Sequence, residues 1–232
     1  AKAASKPVPP WARVKVSDAA TRLGFVSYNV HGKRIALRGE SRALGMEGDS
    51  RRASFNGVVF WLRAAPVRSW GRRTMLQSDV DKMLEPLVLP SQAVKAKGYR
   101  TVVLDAGHGG EAPSAANARY GLQEKRITLA LANVTRDILK QRGVEVYTTR
   151  TGDRTMDLDD RCQYAERLRA DVFVSIHLNA ATDPDSSGIE THILPPAGHP
   201  ITANATVGRR DRAGYRSNSH DGANRVLGYL LQ

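Results

Sequence analysis

The sequence contains a single cysteine, Cys162, and no long apolar run. One cysteine can form no internal disulfide and cannot supply the several thiolates of a structural zinc cluster. Cys162 falls at helical spacing with Leu158, Ala165 and Leu168, so we expect a buried packing thiol rather than a nucleophile. No apolar segment approaches the ~18–20 residues of a membrane-spanning helix, and we expect no transmembrane segment.

The sequence also lacks an initiator methionine and a basic-then-apolar signal segment at its start. We therefore expect either a leader that has been removed or a start within a gene, and location must be inferred from function. Apolar residues make up 41% of the chain and charged residues 25%, which indicates an ordinary globular protein rather than a disordered one.

Acidic residues are scarce in the first part of the chain. Residues 1–100 contain 19 Lys and Arg against 7 Asp and Glu, whereas residues 101–232 contain 16 of each, so the whole net charge of +12 lies in the first hundred residues. This asymmetry predicts a small basic domain over residues 1–95 and a second domain over residues 96–232. A basic module favours an anionic partner such as nucleic acid, anionic lipid or a cell-wall polymer, and a merely solvated basic surface is the equal alternative.

The first module has the pattern of a small α+β domain. The segment VSDAATRLGF predicts a short helix capped by Ser17 and ended by Gly24, and SDVDKMLEPLV predicts a second helix capped by Ser78. RIALRGE and GVVFWLRAAPV predict strands, with a turn at Asn56-Gly57. This order of elements resembles the small domain known as copper-amine-oxidase N-terminal-like, which implies an accessory domain with no role for copper.

Aromatic residues are few, at 6% of the chain, but they include Trp11, Trp61 and Trp70. Indole rings stack on sugar rings, and they also fill cores, which is the favoured interpretation for Trp61. The tryptophans leave a structural and a carbohydrate-binding role open.

From Tyr99 onward the sequence alternates between strand and helix patterns. Strands are predicted at RTVVLDAGHGG, VEVYTTR, DVFVSIHLNA and GIETHIL, and helices at EKRITLALANVTRDILKQRG, LDDRCQYAERLRA and DGANRVLGYLLQ. The first of these helices carries one apolar face, made of Ile127, Leu131, Val134 and Ile138. Alternation of this kind predicts an α/β fold, with a mostly parallel sheet and helices on both faces. Ligands of such folds bind beyond the carboxyl ends of the strands.

Three side chains lie where such a sheet would bind a ligand. His108 follows the first strand, His177 follows the strand 171–176, and Glu124 begins the long helix. Two imidazoles and a carboxylate form a common catalytic zinc set, which leaves one position open for water. Each residue also has a structural alternative: a turn hydrogen bond for His108, a helix-dipole contact for Glu124 and a core position for His177.

A resemblance to a known family runs from Thr101 to Leu194, in the segments LDAGHGG, GLQEKRITLALA, TTRTGDRTMDLDDRCQYAERLRADVFVSIHLNA and SGIETHIL. In order and spacing they resemble the zinc-dependent N-acetylmuramoyl-L-alanine amidases of the third amidase family. The resemblance implies that His108, Glu124 and His177 bind Zn²⁺. It also implies hydrolysis of the amide bond between N-acetylmuramic acid and L-alanine in peptidoglycan, at a periplasmic or extracellular location in the cell envelope.

Other positions match the family as well. Asp105 and Asn179 flank the ligands and are predicted to orient them or to contact substrate. Arg150 and Arg161 match family positions, with a role in bracing the fold as the alternative. Three glycines are predicted to permit the backbone turn that aims the first histidine: Gly107, Gly109 and Gly110.

Two features depart from the family pattern. The loop EAPSAANARYG lacks the family's Asp-Pro-Gly stretch, which concerns substrate contacts rather than metal ligands. The family's late strand with its catalytic glutamate does not follow GIETHIL, and Glu190 is no substitute, because it belongs to a matching structural strand. We therefore expect the catalytic glutamate to lie beyond Gln232, and the 232-residue chain to be an incomplete catalytic domain without useful activity.

Two other functions stay open on the sequence. A non-catalytic peptidoglycan-binding protein would keep the same groove without turnover, and a basic nucleic-acid binder would rest on the first hundred residues alone. The resemblance makes peptidoglycan the expected partner, with no nucleic acid expected. The charge of residues 1–95 favours an anionic cell-envelope polymer as a further partner.

Overall fold

The computed structural model describes residues 9, 11–94, 98, 100–112, 114–117, 121–180, 183, 185–200 and 216–232. The chain forms two compact units. The first unit consists of residues 1–96 and 188–232, and the second unit of residues 97–187. The expected accessory domain (1–95) and catalytic domain (96–232) stay a prediction. The described residues of 188–232 belong to the same unit as the described residues of 1–96.

In chain order the described strands are β1 (Arg13–Lys15), β2 (Ser27–His31), β3 (Arg34–Arg38), β4 (Ala43–Glu47), β5 (Arg52–Phe55), β6 (Val58–Trp61), β7 (Val67–Ser69), β8 (Arg72–Leu76), β9 (Thr101–Ala106), β10 (Ala116–Asn117), β11 (Leu122–Gln123), β12 (Glu145–Thr148) and β13 (Val172–Ile176). The described helices are α1 (Val16–Arg22), α2 (Gln77–Asp79), α3 (Glu85–Val88), α4 (Pro90–Ala93), α5 (Glu124–Gln141), α6 (Leu158–Arg167) and α7 (Asp221–Leu230). A π-helical turn (Val80–Leu84) joins α2 to α3, and a 3-10 turn (Arg216–His220) precedes α7. None of the described helices combines the length and the apolar character needed to cross a membrane.

The first unit is built on antiparallel strands. β2 to β6 pair in chain order, and β1, β8 and β7 form a second antiparallel sheet. Buried and less buried residues alternate along β3, β4 and β5, which is the two-residue period of a strand with one face in a core. Ile35, Leu44 and Phe55 lie on that buried face. The predicted C-terminal helix is confirmed as α7, whose Tyr229 ring lies 5.5 Å from the ring of Phe55.

The predicted helix caps of the first unit are wrong. α1 begins at Val16, so Ser17 lies inside the helix, where its hydroxyl donates to Asp18. α2 begins at Gln77, and the buried hydroxyl of Ser78 has no hydrogen-bond partner among the described residues. Both helices follow directly from a strand (β1 and β8), so the extended last strand residue occupies the cap position. The predicted end of α1 is confirmed, since Gly24 has a left-handed φ of 73° after the last turn.

The second unit contains a parallel sheet of strand order β12-β9-β13, with β9 in the centre. α5 packs against all three strands. The predicted alternation of strand and helix is therefore present over residues 101–176. A mostly parallel sheet with helices on both faces is not confirmed for the chain, because the two sheets of the first unit are antiparallel.

The predicted strand GIETHIL is wrong, since residues 188–196 form no strand. A strand requires a neighbour with which its backbone can pair. This segment instead packs in the first unit, where Ile193 lies against Gly228 of α7.

Burial in the second unit shows which face of α5 meets the sheet, and it contradicts the prediction for Cys162. The apolar face of α5 is the exposed one, with Leu131 and Val134 44% and 57% exposed, while Thr128 and Ala132 are fully buried. Small residues at the buried positions let the helix approach the sheet closely. Cys162 is exposed rather than buried, because α6 directs Arg161 and Ala165 inward instead.

The predicted turn between β5 and β6 is confirmed, and it provides a test of local stability. Asn56 has a φ of 48°, Gly57 a φ of 91°, and Asn56 Oδ1 accepts a hydrogen bond from the Ala43 N–H at 2.8 Å. Asn56→Ala removes the hydrogen-bond acceptor and places alanine, which tolerates the left-handed region less well than asparagine, at this φ. We expect the free energy of unfolding to fall by about 1–2 kcal/mol in chemical denaturation. Asn56→Gly, which tolerates the conformation, should lose less, and equal stability of Asn56→Ala and the unmodified chain contradicts this account.

Candidate metal centre

The site begins where β9 ends, at a glycine-rich turn. His108, Gly109 and Gly110 have φ values of 60°, 124° and 58°. A Cβ at Gly109 would collide with the Arg154 carbonyl oxygen, and one at Gly110 with the Thr155 hydroxyl. These two glycines therefore provide both the left-handed conformation and the close approach of the neighbouring loop, and they aim His108 back across the sheet edge.

Gly107 has a different role from the one that the sequence indicates. It does not have a positive φ. A Cβ at this position would lie 2.6–2.7 Å from three ring atoms of His177. The imidazole of His177 thus occupies the space that a side chain at position 107 would fill, and Gly107 is required for room rather than for the turn.

The three predicted ligands converge. His108 Nε2 lies 3.0 Å from Glu124 Oε1, His177 Nδ1 lies 3.2 Å from the same oxygen, and the two ring nitrogens lie 3.2 Å apart. The imidazole rings meet at 74°, with centroids 4.8 Å apart. The three ligand atoms therefore form a nearly equilateral triangle, which we call the donor triangle, and it groups the residues that could hold a metal ion.

Glu124 is the buried corner of the donor triangle, at 4% exposed against 24% for His108 and 45% for His177. Its Oε1 accepts a hydrogen bond from the Leu178 N–H at 2.8 Å and its Oε2 one from the Ala115 N–H at 3.1 Å. Burial raises the pKa of Glu124, but the two amides together with His108 and His177 lower it by more, so the pKa lies below its ordinary value. The carboxylate therefore stays ionised.

Two buried arginines hold the backbone of the turn. Arg150 Nε donates to the Ala106 carbonyl at 2.9 Å, and its Nη2 donates to the carbonyls of Gly107 at 2.9 Å and Lys125 at 2.7 Å. Arg161 donates from Nη1 to the Ala106 carbonyl at 2.9 Å and from Nη2 to the His108 carbonyl at 2.8 Å. Three successive carbonyl groups are thus fixed by guanidinium groups, which supports the bracing role for both arginines.

An ion pair outside the triangle fixes the far side of the turn. Lys125 Nζ donates to the Gly110 carbonyl at 2.7 Å and to Asp153 Oδ2 at 2.8 Å, while Asp153 Oδ1 accepts the Gly110 N–H at 2.6 Å. The Lys125 ammonium and the Gly110 amide lower the pKa of Asp153. This pair is not evident from the sequence, because nothing in the spacing of residues 125 and 153 brings them to the same glycine.

Asp105 lies behind the donor triangle. It is 2% exposed, and its carboxylate accepts hydrogen bonds from Thr149 Oγ1, Arg161 Nη1 and Ser175 Oγ, each at 2.6 Å. These contacts connect β9 to β13, to the end of β12 and to α6. Such burial fits an orienting role and leaves no surface for substrate. Asn179 is exposed two residues beyond His177, and its role stays a prediction.

Comparison with known proteins assigns the family. Residues 102–232, more than half of the chain, match the family of N-acetylmuramoyl-L-alanine amidases. The chain belongs to this family. The matched range includes all three corners of the donor triangle.

Individual amidases are similar over a part of their length. The chain is 41% identical over 103 residues to N-acetylmuramoyl-L-alanine amidase AmiA of Escherichia coli (strain K12), which covers 44% of this chain and 35% of the relative. It is 43% identical over 98 residues to N-acetylmuramoyl-L-alanine amidase AmiC of Neisseria meningitidis, which covers 42% of this chain and 23% of the relative. The chain thus spans about a third or less of the length of these curated relatives.

Among solved structures, the catalytic domain of CwlV, an N-acetylmuramoyl-L-alanine amidase from Bacillus (Paenibacillus) polymyxa var. colistinus, is 40% identical. The match covers 42% of this chain and 55% of that chain, with a TM-score of 0.40. A TM-score of this size adds nothing to the family assignment, which rests on the sequence match.

Gly107 provides a test of the donor triangle that changes none of the donors. Gly107→Ala places a methyl group where the His177 ring lies, so the ring must move. We expect the affinity for added Zn²⁺ to fall by roughly 10–100-fold, the usual effect of disturbing a group that orients a ligand. Competition with a chromophoric chelator measures the affinity. Gly152→Ala is the matched control, because a Cβ there meets no atom within 4 Å, and equal affinities of the two variants would rule out the proposed crowding.

Proposed function

We propose that His108, Glu124 and His177 bind one zinc ion and that the protein hydrolyses the amide bond between N-acetylmuramic acid and L-alanine in peptidoglycan. The observation that carries the proposal is the donor triangle, with its three ligand atoms 3.0–3.2 Å apart. Membership of the amidase family supports the reaction. A substrate of this kind supports a location in the periplasm or the outer cell envelope.

The donor set fits zinc by chemistry and by size. Two ring nitrogens and one carboxylate oxygen suit Zn²⁺, whereas Ca²⁺ and Mg²⁺ prefer oxygen ligands alone. At bond lengths of ~2.0–2.1 Å, neighbouring ligand atoms are about 3.3 Å apart in a tetrahedral site and about 2.9 Å apart in an octahedral one. The observed triangle lies between these values. Ferrous iron uses a similar ligand set, but amide hydrolysis involves no change of oxidation state, which favours zinc.

Different residues of the donor triangle would hold the metal ion and leave a side open to substrate. When bound, zinc supplies a Lewis acid that polarises the amide carbonyl and makes water more acidic. Glu124 closes the inner side of the triangle, since the Leu178 and Ala115 amides fix both of its oxygens. His177 is the most exposed corner, so substrate approaches from the side of its ring. The catalytic glutamate expected beyond Gln232 stays a prediction.

Metal content provides the first test. The protein should retain about one Zn²⁺ per chain after dialysis, and His177→Ala should lose most of it, because two ligands seldom hold catalytic zinc tightly. Elemental analysis measures the stoichiometry. His192→Ala is the matched control, since that imidazole is 75% exposed and pairs with Glu190 in the other unit. Unchanged zinc in His177→Ala, or preferential retention of iron by the unmodified protein, would contradict the assignment.

Product analysis provides the second test. Peptidoglycan digested with the zinc-loaded protein should gain free L-alanine amines and glycan with intact lactyl groups, as identified by mass spectrometry. The family's late strand with its catalytic glutamate does not follow residue 194 in this sequence, so we expect turnover to be slower by ~10²–10⁴-fold for want of general-base assistance. A long incubation compared with His177→Ala is therefore the appropriate measurement. Cleavage within the glycan or within the stem peptide would contradict the proposed bond.

A further inference from the structure

The proposed metal centre leaves the basic surface of the first unit without a role. A cleft of about 620 Å³ opens in that unit, lined by residues of β1, α1, β2, β7 and β8 and of the β2–β3 and β7–β8 turns. Asp18 is the one acidic side chain of its described lining. The lining also carries four basic side chains, Lys15, Arg68, Arg72 and Arg73. This concentration of positive charge in a concave surface attracts and holds anions more strongly than scattered charges do.

The strand register adds to the argument. Arg68 and Arg73 lie directly opposite each other in the β7–β8 pair, and like charges in such cross-strand positions destabilise a sheet. Arg73 is held in place, since its Nη2 donates to the Gly32 carbonyl at 2.9 Å. The side chains of Lys15, Arg68 and Arg72 make no hydrogen bond or ion pair within the described part of the chain. Three cations of the cleft are therefore available to an external anion.

An exposed tryptophan directly precedes a residue that lines the same cleft. Trp70 is 98% exposed and forms the two-residue β7–β8 turn with Gly71, which lines the cleft. Its φ of 50° and the φ of 75° at Gly71 are those of a turn that prefers Asn-Gly or Gly-Gly. A bulky aromatic residue in this conformation is disfavoured both by its backbone and by its exposure to water. Such an outlier indicates a function in contact with a ligand.

We propose that this cleft binds an anionic glycan chain of the cell envelope, with phosphate or carboxylate groups at Lys15, Arg68 and Arg72 and a sugar ring stacked on Trp70. A single indole beside a short concave cleft suits one strand of a sugar polymer. Proteins that bind nucleic acid usually have a longer basic groove with several aromatic residues on which the bases stack. The flat surface of a membrane does not fit into a concave protein surface. The site lies wholly in the first unit and does not depend on the donor triangle.

Trp70→Asn separates binding from folding. Asparagine tolerates the left-handed conformation, and Asn-Gly is the preferred sequence of this turn, so the variant should be at least as stable to heat as the unmodified chain. Its retention on purified sacculi at about 50 mM NaCl should nevertheless weaken by roughly 2–10-fold, the size of one aromatic contact. Retention equal to that of the unmodified 232-residue chain would overturn the role of Trp70.

Paired charge reversals test the cleft. Arg68→Glu with Arg72→Glu should reduce retention at least tenfold. Arg34→Glu with Arg52→Glu is the matched control, because it makes the same change of net charge at exposed positions of β3 and β5 outside the cleft, and it should reduce retention much less. Equal losses in the two double variants would show general electrostatics rather than a site. Binding should also fall at about 500 mM NaCl, where the Debye length shortens to roughly 4 Å.

The source of the anionic group is resolved by the choice of polymer. Loss of retention on sacculi stripped of phosphate polymers by acid identifies the phosphate chain, and unchanged retention identifies the carboxylates of peptidoglycan itself; both support the cleft. Stronger retention on duplex DNA or on vesicles of anionic lipid than on either glycan would overturn it. The zinc content of the Arg68→Glu, Arg72→Glu double variant should equal that of the unmodified chain, because the cleft and the donor triangle lie in different units. Failure of the metal proposal and failure of this one therefore give different results.

Discussion

Two guanidinium groups in the interior of the second unit hold the backbone from which the metal centre is built. Arg150 is 1% exposed and Arg161 4% exposed, and between them they bind the carbonyl groups of Ala106, Gly107 and His108. Arg161 is also paired with the buried Asp105 at 2.6 Å. A buried charge without partners is very unfavourable. The two guanidinium groups therefore have their hydrogen-bond partners only when the turn has this conformation, and this conformation fixes the position of His108.

The donor triangle depends on space as much as on charge. The ring of His177 comes close to the chain at Gly107 because position 107 has no side chain. On the opposite side, the Leu178 amide directly after His177 binds Glu124, so one short segment provides both a metal ligand and the contact that orients another. The three donors are consequently prearranged by the fold, and binding a cation requires little movement of the protein.

The sequence was informative where function depends on residue type at a strand end, and less so where it depends on neighbours. His108, Glu124 and His177 converge because the strands β9 and β13 are parallel and adjacent. The alternation of patterns predicted parallel strands but not which of them are neighbours. The Ala115 and Leu178 amides were missed, since every residue has such a group and only the path of the loops selects two of them. For α5 the periodicity indicated which residues share a face but not which face meets the sheet. GIETHIL has the pattern of a strand, but pairing requires a partner that a pattern does not reveal.

The apolar core of the second unit is small, so a metal ion at the donor triangle would also affect stability. The central cluster of this core consists of Leu104, Ala106, Ala132 and Val146. The two ring nitrogens of the triangle come from residues that are 69 positions apart in the chain. Zinc at the proposed site would join these distant segments, and a ligand at 1,000 times its dissociation constant stabilises the folded form by about 4 kcal/mol. That is a large fraction of the stability of a domain of this size. The lifetime of the unit in the presence of proteases would then follow the supply of free zinc, so metal scarcity would remove the protein as well as the reaction proposed for it.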